Sequence, residues 1–69
     1  MEIGASIPGM VSKINVAVGD EVQANTVLAI IEAMKMETTV MSKVGGVIDE
    51  IHVKQNQPVK AGELIITMR

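Results

Sequence analysis

Displaced by 37 positions, the first half of this 69-residue chain falls on the second. Gly9 lands on Gly46, Val11 on Ile48, Ile14 on Ile51 and Val16 on Val53. Val22 lands on Val59, Ala24 on Ala61, Val27 on Leu64 and Leu28 on Ile65. Two further pairs, Gly19 with Asn56 and Asn25 with Gly62, exchange glycine for asparagine. Glycine and asparagine are the residues that most readily accept a positive φ, so each pair marks one left-handed turn position used twice. The repeat is therefore one of backbone shape and core pattern. A unit this small has too little core to stand alone, so the two copies must pack face to face about a pseudo-twofold axis.

Within each copy, β-branched residues alternate with polar ones, as at Val11, Ile14 and Val16 and again at Ile48, Ile51 and Val53. Turn signals separate the short runs: Pro8-Gly9, Gly19-Asp20, Ala24-Asn25, Gly45-Gly46, Asn56-Gln57-Pro58 and Ala61-Gly62. This spacing reads as an all-β sandwich or barrel. No segment combines a sustained 3.6-residue period with caps, so no helix is expected. Residues 1–69 make one domain. A domain of this size buries only about 60% of the surface its unfolded chain exposes. The chain has no aromatic residue and no cysteine. Its core must come from Val, Ile, Leu, Ala and Met, with no disulfide or thiolate metal site to support it.

The same inventory excludes several functions. A formal net charge of −2 and the absence of aromatic stacking platforms argue against nucleic acid. The longest apolar runs, such as Val27-Leu28-Ala29-Ile30-Ile31, fall far short of the ~20 residues that span a bilayer. Met1-Glu2-Ile3-Gly4 lacks the basic and apolar regions of a secretory signal. His52 stands alone and maps onto Asn15, so it should face solvent; a structural zinc site is not expected. Ser6, Ser12 and Ser42 lack triad partners. Asp20-Glu21 and Asp49-Glu50 are adjacent pairs, which point to opposite faces of a strand and read as surface charge. Gly45-Gly46 opens no helix, so it is not a phosphate loop.

The segment between the copies, residues 32–43, is the hinge of the symmetry and alternates enough to be a hairpin protruding at one end. Its tip would carry whatever group the molecule displays. If Met34-Lys35 forms a two-residue loop, both residues need a positive φ, at about 1–3 kcal/mol each. Such strain would hold the lysine in a fixed frame, with its amine exposed and unpaired and its long stem clear of the body. Met34 and Met36 read equally well as packing residues that fill gaps and as contacts for a partner. Glu32 and Glu37 read as solvated hairpin charges rather than partner contacts.

Here the sequence becomes specific. Ala33-Met34-Lys35-Met36 resembles the attachment motif of the biotin-dependent carboxylases. Gly4-Ala5 with Pro8-Gly9, the Val18-Gly19-Asp20 turn closed by Val22, and Gly46-Val47-Ile48 match as well, so the resemblance spans nearly the whole chain. The chain departs from the family where Gly45 replaces the usual acidic residue before Gly46. The resemblance implies a flattened barrel, or barrel-sandwich hybrid, of two four-stranded antiparallel sheets. It implies biotin bound covalently to Lys35, with Ala33, Met34 and Met36 as flanking recognition residues and with no catalytic residue or metal in the domain itself. It further implies a biotin protein ligase as modifying partner, and biotin carboxylase and carboxyltransferase domains between which a carboxyl group is shuttled. Ile3-Gly4-Ala5 and residues 33–38 are most similar to the C-terminal domain of pyruvate carboxylase, which converts pyruvate to oxaloacetate. That likeness makes the chain a fragment of a larger enzyme, in the cytoplasm or, in a eukaryote, the mitochondrial matrix. Acyl-CoA carboxylases and oxaloacetate decarboxylases share much of the pattern. A lipoyl domain shares the repeat but usually sets its lysine between Asp and Ala.

Overall fold

The computed structural model describes residues 1–69 as eight strands joined by turns, with no helix. In chain order the strands are β1 (Glu2–Gly4), β2 (Gly9–Ile14), β3 (Glu21–Val22), β4 (Val27–Ala33), β5 (Met36–Met41), β6 (Gly46–Ile51), β7 (Pro58–Val59) and β8 (Leu64–Met68). They form two four-stranded sheets, ordered β1-β8-β6-β3 and β5-β4-β2-β7, with every pairing antiparallel. The sheets face each other as a flattened sandwich and do not close into a single barrel.

The 37-residue repeat is written into the hydrogen bonds. Asn15 N–H donates to Leu28 C=O at 2.8 Å, and His52 N–H to Ile65 C=O at 2.8 Å. Gly19 N–H reaches Ile48 C=O at 2.8 Å, while Asn56 N–H reaches Val11 C=O at 2.7 Å. The four expected left-handed positions all have positive φ: Gly19 94°, Asn56 69°, Asn25 69° and Gly62 84°. The core obeys the same rule. Val11 and Ile48, and Leu28 and Ile65, are fully buried, and Val22 and Val59 are nearly so. Each large apolar side chain buried in this way contributes on the order of 1.5–3 kcal/mol.

The two copies do not build one sheet each. β3, from the first copy, pairs with β6, matching Glu21 to Val47 and Val22 to Gly46. β7, from the second copy, pairs with β2, matching Gly9 to Val59 and Met10 to Pro58. Each copy thus lends a two-residue strand to the other's sheet, which locks both into one cooperative unit. β5 is likewise shared in role: residues 39–41 run beside β4 as β1 runs beside β8.

The chain ends clasp one another. The Met1 amino group donates to Met68 C=O at 2.8 Å, and Met68 N–H donates to Met1 C=O at 2.8 Å. Met1 also lines a cleft of about 310 Å³ with Met41 and Lys43, at the end of β5 remote from the β4–β5 turn.

Candidate functional site

β4 and β5 pair from Val27↔Met41 to Ala33↔Met36, so Met34 and Lys35 alone make the connecting loop. Their φ values are +52° and +65°. Positive φ at both central residues is the backbone of a type I′ hairpin, the turn whose twist suits flanking strands and which normally carries Asn-Gly. Non-glycine residues there are strained, as the sequence predicted, and the hairpin ladder holds them in place. Gly9 fixes the base of the arm. A Cβ on Gly9 would sit 2.6 Å from the Glu32 carbonyl oxygen and 2.8 Å from Ile31 Cγ2, so only glycine lets β2 approach β4 this closely. Gly46 is its twofold mate: a Cβ there would lie 2.9 Å from the Arg69 carbonyl oxygen.

Lys35 is exposed at the crest. The molecule's single ion pair is Arg69 Nε to Asp49 Oδ1, at 3.0 Å. Lys35 takes no part in it, and its amine enters no side-chain hydrogen bond. The amine is therefore solvated, sterically open and free to be acylated. Met34 is 94% exposed and Met36 70% exposed, so neither fills a gap in the core. Ala33 is half-buried at the last rung of the ladder. Glu32 and Glu37 stand directly opposite each other, both exposed and neither in an ion pair, as solvated charges do.

The other polar candidates serve the scaffold. His52 is exposed as expected, with Nε2 2.7 Å from Thr67 Oγ1. Ser42 is fully buried; its hydroxyl donates to Val44 C=O and lies 3.4 Å from Met68 Sδ. Asp20 Oδ2 accepts Ala17 N–H at 2.9 Å within its own turn. A Cβ at Gly45 would lie 3.4 Å from its nearest neighbour, the Val22 carbonyl oxygen, and Gly45 does not have a positive φ. The departure from the family pattern is thus structurally neutral. Sequence reasoning missed an apolar hollow of about 410 Å³ beside the turn, lined by Ile7, Pro8, Ala33, Met34, Met36 and Thr38. Its signal was present as period-two alternation: Ala33, Met36 and Thr38 all fall on the core-facing side of the hairpin.

Residues 2–68 match the family described as Biotin-requiring enzyme. The chain belongs to that family. It is a biotin carboxyl carrier domain of the biotin-dependent carboxylase type, and its cofactor is covalently bound biotin. Over 64 residues the carrier domain is 45% identical to a pyruvate carboxylase of Staphylococcus aureus, a match covering 93% of this chain and 6% of that protein. It is 44% identical to a biotin carboxyl carrier protein of Streptococcus mutans, over 93% of this chain and 49% of that one. Its fold superposes on urea carboxylase of Kluyveromyces lactis with a TM-score of 0.93 at 33% identity, covering all of this chain and 6% of that one. The carrier domain therefore spans a small part of the multidomain relatives and about half of the streptococcal carrier.

Proposed function

We propose that Lys35 carries biotin as an amide on Nζ, and that the domain shuttles a carboxyl group between a biotin carboxylase site and a carboxyltransferase site of one parent enzyme. The observation that carries this reading is the solvated, unpaired Lys35 amine on a strained two-residue turn. Biotin, when bound, supplies the chemistry by accepting and releasing a carboxyl group at its ureido nitrogen. The protein's part is display. The turn fixes the direction of the lysine stem, and the ladder beneath it resists collapse onto the sheet. Met34 and Met36 offer an exposed apolar frame to a biotin protein ligase, which reads the turn and acylates the amine. The domain brings no acid, base or metal ligand of its own to the carboxyl transfer. Tethering to the parent replaces diffusion with an intramolecular search at roughly millimolar effective concentration.

Pyruvate is the acceptor that the staphylococcal relative supports. The likeness to urea carboxylase supports a second reading, in which the same carrier serves a different acceptor. The deciding experiment is intact-mass analysis after coexpression with a biotin protein ligase. Wild-type chain gains one biotinyl group and Lys35→Arg gains none. A biotin found on Lys13, Lys43, Lys54 or Lys60 instead would overturn the assignment.

A further inference from the structure

The core-facing side of the β4–β5 hairpin runs out beyond the opposing sheet. Ile31 is fully buried, its cross-strand partner Thr38 and the next inward residue Ala33 are half-buried, and Met36 is 70% exposed. An apolar face therefore continues past its cover. The loop after β1 closes one side of it with Ile7 and Pro8, held there because Gly9 allows β2 to press against β4. The result is the hollow of about 410 Å³. That volume lies within the roughly 300–1,000 Å³ range of small-molecule sites.

We propose that this hollow is a resting site for the biotinyl group of Lys35 in the same chain, an inference that rests on Lys35 being the biotinylated residue. Two of its walls, Met34 and Met36, are the immediate neighbours of Lys35, so the arm needs only to fold back. Nothing else claims that arm, since the amine has no partner on the protein surface. The chemistry matches. The valeryl chain and sulfur-containing ring of biotin are apolar and suit Ile7, Pro8 and the polarizable methionine thioethers. The Thr38 hydroxyl is a polar group at which the ureido edge can end. Methionine walls adapt to shape without demanding a rigid fit. Tethering sets the strength required: at an effective concentration of about 1 mM, a site with a dissociation constant of about 1 mM is half occupied. A resting site this weak shields the arm between visits and releases it to any deeper pocket.

The test is NMR of the whole chain labelled at isoleucine and methionine methyls, before and after enzymatic biotinylation. Biotinylation is expected to shift the Ile7 δ1 methyl and to give cross-peaks between it and biotin ring protons. The Ile3 methyl, outside the hollow, stays in place. Ile7→Ser and Thr38→Asp should each abolish those cross-peaks while intact mass still shows one biotin. A biotinylated wild-type chain with a silent Ile7 methyl overturns the resting site and leaves the carrier function standing. A methyl shift that appears only on adding the ligase assigns the hollow to that partner and likewise overturns the proposal. Absence of biotin on Lys35 overturns the function and the resting site together.

Discussion

Asp20 and Gln57, 37 residues apart, make the same hydrogen bond with different chemistry: Asp20 Oδ2 accepts Ala17 N–H at 2.9 Å, and Gln57 Oε1 accepts Lys54 N–H at 3.0 Å. The next turn repeats the device. Thr26 Oγ1 accepts Gln23 N–H at 3.2 Å, and Glu63 Oε1 accepts Lys60 N–H at 3.0 Å. What the two halves share is a demand for an acceptor at a fixed place, which carboxylate, amide and hydroxyl all meet. Asp20→Ala and Gln57→Ala are expected to cost similar amounts, about 0.5–1.5 kcal/mol each. Urea unfolding of the two variants checks this. A cost confined to one of them would show that the turns are not energetically equivalent.

Three glycines that look alike in sequence should respond differently to alanine. Gly9→Ala and Gly46→Ala drive a Cβ into backbone oxygens and should destabilise by about 1–3 kcal/mol or more, as overpacking does. Gly45→Ala meets only ordinary contact distances and should be close to neutral. Thermal melts of the three variants decide the matter.

Relieving the strain at the displayed turn should stabilise the fold. Met34→Asn puts a residue tolerant of positive φ at the first loop position and should raise stability by up to about 1 kcal/mol. In a domain of this size that is a rise of roughly 4–8 °C in Tm. If the side chain of Met34 guides the ligase, the same variant is biotinylated more slowly; a time course by mass spectrometry measures that cost alongside the melt.

Leu28 and Ile65 are twofold mates, each fully buried. Truncating either to alanine should cost about 2–5 kcal/mol. Because β3 and β7 are exchanged between the sheets, neither half can survive the loss of the other. Circular dichroism and tryptophan-free probes such as methyl NMR should therefore report one shared transition in both variants.

Acylating Lys35 removes one positive charge and takes the formal net from −2 to −3. Biotinylated chain should elute later from an anion exchanger than the free chain. Lys35→Gln, which mimics only the charge change, should move in the same direction while keeping the wild-type fold.

Much of this architecture was open to reading in the residues. The Gly19/Asn56 and Asn25/Gly62 swaps disclosed four turn positions because only a backbone requirement unites glycine with asparagine. The strain at Met34-Lys35 follows once these two residues are placed as the hairpin loop, because a two-residue loop needs a positive φ at both. The exchange of β3 and β7 was not legible, because two-residue strands carry no periodicity and their pairing is set by the turns that deliver them. Nor was the exposure of Met36. It sits on a core-facing position of β5, and its exposure depends on where the opposing sheet stops, which is a property of the whole fold. Ser42 shows the same limit: it occupies the place of Ala5 in the other copy, and its burial depends on a hydroxyl satisfied locally by Val44.

The clasped chain ends have a consequence for how the fold could be rewired. The twofold axis that carries β1 and β8 onto β5 and β4 also carries the gap between Arg69 and Met1 onto the Met34-Lys35 loop. Met68 and Met1 stand paired across that gap as Ile31 and Thr38 stand paired below the loop, so the gap holds the place of residues 33–37. A circular permutant joined there by a five-residue link with Asn-Gly at its second and third positions, and opened between Met34 and Lys35, would keep every strand pairing, and its new termini would emerge where the wild-type molecule holds out its lysine.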